Sequence, residues 1–174
     1  MAFLTPAHLI ERLYIKKGTA VADFGAGSGA YALELARAVT DTGKVYAIDI
    51  HRDILQTLEH TAHKMGFLNI ETVWADLETS TYIDSYALEA VVISNILFTL
   101  EHPEKVIEEA ARILVPSGRV LCVDWSGPHE GIGPHPSHVV SEARAEELFT
   151  KHGFQIGERL PAGDYHYAFI ATKL

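Results

Sequence analysis

Two rhythms of apolar and polar positions alternate along this chain. Unbroken or nearly unbroken apolar runs recur at residues 19–24, 44–49, 70–75, 90–95 and 119–124, and between them apolar residues return every three or four positions. The runs predict buried strands, and the stretches between them predict helices with one inward face. Residues 30–39 line up Ala32, Leu35, Ala36 and Val39. The stretch after Asp49 lines up Leu55, Leu58, Ala62 and Met65 and closes at Gly66. Pro103 opens a further helix carrying Val106, Ile107, Ala110, Ile113 and Leu114, which Pro116-Ser117-Gly118 should end. At the start, Thr5 as a cap and Pro6 at the first helical position predict a short helix over residues 5–15. Residues 77–86 are polar and poorly periodic, and read as a loop, with a short helix as the alternative.

After Trp125 the pattern breaks. Residues 126–140 hold Gly127, Pro128, Gly131, Gly133, Pro134 and Pro136, interleaved with His129, His135 and His138, so turns should dominate there. Ser141 then caps a last helix through His152, Gly153 stops it, and residues 154–160 and 165–172 read as two closing strands. The intervening Pro161-Ala162-Gly163-Asp164 has hairpin length, so at least one strand should run antiparallel. Strand and helix alternating at this spacing give an α/β domain, a mostly parallel sheet covered on both faces. One domain spanning 1–174 is expected.

Polar residues recur where the strands end. Asp23, Asp49, Asp76, Asn95 and Asp124 all fall at the carboxyl ends of the apolar runs, which would set them along one rim of the sheet. Ligands of open parallel sheets bind at that rim. The richest part of it is Asp23-Phe24-Gly25-Ala26-Gly27-Ser28-Gly29-Ala30, a strand running through a glycine turn into a helix. Such a turn brings a ligand close to the main chain, with helix N-terminal amides as donors. Asp49 stands about twenty residues further on, where a carboxylate can accept from two ribose hydroxyls. Gly25-x-Gly27-x-x-Ala30 also satisfies a relaxed dinucleotide fingerprint, so an NAD-dependent oxidoreductase stays open on the residues alone.

The charge and the cysteine count narrow the partners. A formal net charge of −9 argues against a broad nucleic-acid footprint, which needs concentrated Lys and Arg. With 48% apolar and 21% charged residues the chain has the composition of a soluble globular protein. The single cysteine, Cys122, lies in an apolar run and reads as a buried strand side chain, and no internal disulfide can form. Residues 1–6 lack a basic segment leading into an apolar core, and no run approaches the ~20 apolar residues of a membrane span, so a cytoplasmic location is expected. No metal is expected: His129, His135 and His138 sit among turn residues without helical ligand spacing.

Taken with Val45-Tyr46-Ala47-Ile48-Asp49, Ala75-Asp76-Leu77, Val91 to Asn95, the 109–119 stretch, Gly133-Pro134, Gly153-Phe154 and Tyr165-His166-Tyr167, the glycine segment resembles the class I S-adenosylmethionine-dependent methyltransferases. Within them it looks most like the small-molecule group that includes the ubiquinone/menaquinone C-methyltransferases. The resemblance implies a Rossmann-like seven-stranded sheet with an antiparallel C-terminal strand, and S-adenosyl-L-methionine as cofactor. It assigns Gly25, Ala26, Gly27 and Gly29 to the methionine part and Asp23 to orienting the turn and the amino group. Asp49 would bind the ribose diol, Ile50 would pack on adenine, Asp76 would accept from the adenine amino group, and the Leu77 amide would face the ring. Ser94 and Asn95 would border the methyl group.

The acceptor is a small molecule on this resemblance. A non-catalytic cofactor-binding subunit and a protein or RNA methyltransferase are the alternatives. Trp125, Phe98, Tyr31, Tyr165 and His166 could line the acceptor pocket. If a base is needed, His135 or His138 is the first candidate, with Tyr165 and His166 next. The helix at residues 5–15 is much shorter than the cap of many relatives, leaving the pocket open or completed by a partner chain, in a homodimer or with another protein. Ser117-Gly118 replaces a common double glycine, the thiols of arsenic methyltransferases are missing, and no Asn-Pro-Pro-Tyr motif follows Val92.

Overall fold

In the computed structural model, residues 5–129 and 131–174 are described. Residues 1–4, on which part of the leader expectation rests, lie outside them. The first half runs α1 (Pro6–Glu11), β1 (Ala20–Phe24), α2 (Ala30–Val39), β2 (Lys44–Asp49), α3 (Arg52–Lys64), β3 (Ile70–Trp74) and β4 (Leu88–Ser94). After a 3₁₀ turn at Leu97–Thr99 come α4 (Pro103–Ile113), β5 (Leu114–Trp125), a second 3₁₀ turn at Pro136–His138, α5 (Glu142–Lys151), β6 (Phe154–Leu160) and β7 (His166–Lys173). The strands form one seven-stranded sheet in the order β3-β2-β1-β4-β5-β7-β6. The pairs from β3 to β5 are parallel, whereas β7 runs antiparallel to both β5 and β6. Strand order reverses between β1 and β4, which places the glycine turn and Asn95 side by side at the crossover.

The unbroken apolar run of β4 follows from burial on both faces. Val91 and Ile93 join a core with Phe24, Ile107, Phe149 and Phe169, and Ala90 and Val92 join a second core with Leu9, Leu35 and Leu58. Cys122 lies fully buried in the first core, and burial pushes its thiol well up, so it is a packing residue. Among the described residues no helix is long and apolar enough to cross a membrane.

The loop of residues 77–87 has no periodicity because side chains rather than a backbone ladder hold it. Glu109 on α4 accepts from Thr81 N at 2.8 Å, from Thr81 Oγ1 at 2.6 Å and from Arg112 Nε at 2.7 Å, while Arg112 Nη2 donates to Ile83 O at 2.7 Å. Burial alone would raise the Glu109 carboxyl, but the bonds from Arg112 and Thr81 outweigh it and bring it to about 2. The loop is thereby anchored where it borders the rim.

Two expectations about boundaries are corrected. The first helix spans Pro6–Glu11 rather than residues 5–15, and Thr5 occupies its cap position without a side-chain cap bond. Its Oγ1 lies instead 3.4 Å from His8 Nδ1. Pro116-Ser117-Gly118 does not precede the fifth strand but lies inside it. The β4–β5 register steps from Leu88↔Leu114 to Ala90↔Arg119, so the strand starts early and bulges outward. Ser117 takes φ 61 in that bulge, and Gly118 is needed because a Cβ there would lie 2.8 Å from Val115 O.

Candidate functional site

Gly25, Gly27 and Gly29 all have positive φ, yet each is glycine for a different reason. A Cβ on Gly25 would stand 2.3 Å from Ile96 Cγ2, and one on Gly29 would stand 1.8 Å from Leu58 Cδ1. Both are packing glycines, letting the turn press against the chain after β4 and against α3. Gly27, with φ 50, would meet nothing closer than Gly25 O at 3.9 Å. Its missing side chain leaves open space.

The amides of the turn are already committed. Gly25 N and Ala26 N both donate to Ile48 O at 2.9 Å, Gly27 N donates to Asp49 Oδ2 at 3.0 Å, and Gly29 N to Ala26 O at 2.8 Å. The expectation that this turn offers free amide donors is therefore corrected for these four residues. What the turn offers is a gap at Gly27 flanked by carboxylates.

Two of those carboxylates are buried. Asp49, 8% exposed, also accepts from His51 N at 3.0 Å through Oδ1. Asp23 is 2% exposed, and its Oδ2 has no hydrogen-bond partner. Burial pushes the Asp23 carboxyl up to about 7; the Ala32 amide in the first turn of α2 works against this, and the nearby Asp49 adds to it. The Tyr31 hydroxyl, near Asp23 and facing Ser94, is likewise buried without a hydrogen bond of ordinary geometry. Burial, above all, takes it up to about 12. These orphaned polar atoms belong to residues just before and just after the glycine turn, as in a site built to receive a polar group.

From the turn a cleft of about 430 Å³ runs along the rim, lined by Gly25, Asp49, Ile50, Asp76, Leu77, Asn95 and Ile96 among others. It thus brings together six of the residues singled out in the sequence. Asp76 is exposed and holds its own turn, its Oδ1 accepting from Glu78 N at 2.9 Å. Ile50 is exposed at the outer end, where Trp74 Nε1 donates to Ile50 O at 2.9 Å. His51, Glu78, Thr99 and Leu100 also line this cleft. Only their proximity to rim positions could have marked them in the sequence.

A second pocket, of about 390 Å³, opens on the other side of Asn95. It is lined by Pro6, Ala30, Tyr31, Asn95, Trp125, Ile132 and the 162–166 segment, and includes Tyr165 and His166. Asn95 lines both cavities. It adopts φ 56, and its N–H donates to Val123 O at 2.9 Å. Asp124 secures the same bend, its Oδ2 accepting from Leu97 N at 2.9 Å and its Oδ1 from Trp125 N at 2.8 Å. Burial nonetheless raises the Asp124 carboxyl to about 6. Ser94 is buried beside this junction, with Asn95 Nδ2 donating to its Oγ at 3.3 Å.

His135 and His138 are not brought to either cavity. They are exposed on the second 3₁₀ turn, where His135 Nδ1 pairs with Ser137 Oγ at 2.8 Å. Phe98 lines neither cavity. A residue the sequence reading did not place in the pocket, His129, stands edge-on to Tyr165 with ring centroids 4.9 Å apart. No cluster of three or more His, Cys, Asp or Glu suited to a metal occurs among the described residues.

Comparison with known proteins fits this geometry. The family model of the ubiE/COQ5 methyltransferase family matches residues 6–136. The chain is 30% identical over 162 residues, 92% of its length, to the ubiquinone/menaquinone biosynthesis C-methyltransferase UbiE of Enterobacter sp.. It is 28% identical over 119 residues, 68% of its length, to the demethylmenaquinone methyltransferase of Anoxybacillus flavithermus. These matches span 61% and 50% of the two relatives, so the chain covers only part of their length. Among solved structures, a SAM-dependent methyltransferase from Aquifex aeolicus superposes with a TM-score of 0.90 at 25% identity, covering 99% of this chain and 91% of that one.

Proposed function

The chain belongs to the ubiE/COQ5 methyltransferase family, and from that premise we propose that it transfers a methyl group from S-adenosyl-L-methionine to a small-molecule acceptor. The observation that carries the proposal is the pair of cavities meeting at Asn95, a carboxylate-lined cleft on one side and an aromatic pocket on the other. When bound, the cofactor supplies an electrophilic methyl group on a sulfonium centre.

The residues present fit that group. Gly27 leaves room for the amino-acid tail, and the unpartnered Oδ2 of Asp23 suits an ammonium. Asp49 keeps acceptor capacity on its carboxylate for a ribose diol beyond the bonds it takes from Gly27 and His51. Ile50 and Leu77 give apolar faces for a flat base, and Asp76 gives an acceptor for an amino group. Asn95, Tyr31 and Trp125 enclose the place for the acceptor. Holding the two reactants in line and excluding water would supply most of the rate enhancement.

Isothermal titration tests the reading against its dinucleotide rival. S-adenosylhomocysteine should bind the full chain, with NAD giving no comparable heat. Tight NAD binding with no response to S-adenosylhomocysteine would reverse the assignment.

The glycines separate folding from binding. Gly29→Ala forces a side chain at φ 91 against the buried Leu58 and should cost about 2–3 kcal/mol of stability, visible as a fall of several degrees in Tm. Gly27→Ala enters open space at φ 50 and should cost only about 1 kcal/mol. It should nevertheless weaken S-adenosylhomocysteine binding about tenfold or more, because the added methyl occupies ligand space. Equal affinities in the Gly27→Ala and natural chains would show that the gap is not used.

A further inference from the structure

We propose that His166 is the catalytic base of this site, taking a proton from an acceptor hydroxyl, and that His129 is the residue that positions and tunes it. The proposal rests on the methyl-transfer reading of the two cavities. His166 opens β7 and pairs in antiparallel register with Trp125, the last residue of β5. Their rings lie 4.5 Å apart, with His166 on the wall of the aromatic pocket. Gly133 closes over the Trp125 ring, since a Cβ there would approach Cε3 to 2.7 Å. The loop that carries Gly133 also brings His129 to 6.2 Å from Trp125 and edge-on to Tyr165, with His129 Nε2 3.3 Å from Ser126 Oγ. Ser126 N in turn donates to Tyr165 O at 2.9 Å. Two imidazoles therefore flank one indole of the pocket wall.

The other polar groups on the pocket wall suit the task less well. Asn95 does not titrate, Tyr31 keeps its proton up to about 12, and Asp164 is exposed at the rim. Among the described residues, the titratable groups that share the pocket wall with His166 are Tyr31, Asp164 and Tyr165, with His129 close enough to act on the ring and Asp124 buried one residue before Trp125. Among the described residues no Lys or Arg lines the pocket. Burial first, and then the neighbouring His129, lower the His166 imidazole below its usual value, so the ring is neutral at neutral pH and can accept a proton.

In the step itself, the acceptor O–H bond breaks to leave its electron pair on the acceptor, and the proton goes to the imidazole. The electron-rich acceptor then forms the new bond to methyl, while the methyl–sulfur pair returns to sulfur. One proton and a neutral thioether remain.

The test uses the full chain saturated with S-adenosylhomocysteine and 4-nitrophenol as a probe hydroxyl. Beside the ring a phenolate's negative charge raises the imidazole again, so below neutrality the bound probe should show phenolate absorbance while NMR of the labelled His166 ring shows it protonated. His129→Gln should move the His166 titration upward, by removing a like-charged neighbour. His166→Gln should abolish the phenolate band, leave S-adenosylhomocysteine affinity unchanged and slow methyl transfer roughly a hundredfold, whereas His63→Gln, exposed at the end of α3, should do none of these. Should the glutamine variant not fold, the ring spectrum of the natural chain decides alone. A probe that does not bind, one that binds un-ionised, or a His166→Gln variant matching the natural chain would overturn the assignment. Absence of S-adenosylhomocysteine binding would instead overturn the reading of the cleft.

Discussion

Asp49→Ala should bind S-adenosylhomocysteine roughly a hundredfold more weakly than the natural chain, a loss of about 3 kcal/mol. The carboxylate sits at the carboxyl end of β2 and joins three parts of the site. It fastens the glycine turn through Gly27 N at 3.0 Å, it closes its own turn through His51 N at 3.0 Å, and it faces the cleft. The substitution removes a charged acceptor for the ribose and also loosens the gap for the amino-acid tail. A companion variant separates the two losses. Asp49→Asn retains one acceptor oxygen, so it should keep the turn closer to its native shape while still losing the charge. If the affinity deficit of Asp49→Asn is nearly that of Asp49→Ala, the charged contact to the ligand dominates; if it is small, the tie to Gly27 dominates. Both losses should appear in titration calorimetry, with Tm falling by only a few degrees because the orphaned amides lie near solvent. An affinity within about threefold of the natural chain in both variants would remove Asp49 from the site.

How far the sequence shows this site depends on the range of the contacts involved. The parallel strands and the rim were legible because the central apolar runs are buried on both faces, as β4 is, and because Asp23, Asp49, Asp76, Asn95 and Asp124 end the runs; only the edge strand β3 is half exposed. The cofactor side of the site is local in sequence, a strand, a turn and a carboxylate on the next strand. The acceptor side is not. His166 reaches the pocket only through its antiparallel register with Trp125, set by a hairpin some forty residues downstream in the chain. Periodicity cannot convey that register: in sequence alone His135 and His138 of the turn-rich loop stand level with His166, and nothing marks His129 as its neighbour. The internal pairing of the Gly25, Ala26 and Gly27 amides was equally hidden, because Ile48 O and Asp49 reach them across the sheet. The bulge at Pro116-Ser117-Gly118 looked like a terminator because proline and glycine mark a turn equally well before a strand and within one.

Cofactor binding should release a proton through Asp23, and the chain without ligand should lose stability as pH rises toward neutrality. With its carboxyl raised to about 7 in the fold against an ordinary 3.8, Asp23 binds more protons folded than unfolded between those values. Its contribution is therefore complete below about pH 4, declines as pH climbs, and is gone above about pH 7. A shift of this size corresponds to about 4 kcal/mol. Asp124, raised by burial to about 6, acts in the same direction over a narrower window. Thermal melts should accordingly show a higher Tm near pH 5 than near pH 8, and Asp23→Asn should flatten most of that slope. An ammonium placed against the unpartnered Oδ2 would favour the ionised carboxylate, so at pH 7 binding of S-adenosylhomocysteine should release about half a proton. Titrations in buffers of different ionisation enthalpy measure that release directly. Asp23→Asn should abolish it and weaken binding by about tenfold or more, even as it stabilises the empty protein at alkaline pH. A stability profile that is flat from pH 5 to 8, together with proton-neutral binding, would mean that Asp23 is ionised and partnered before the ligand arrives. The amino group would then have to find its acceptor elsewhere along the rim.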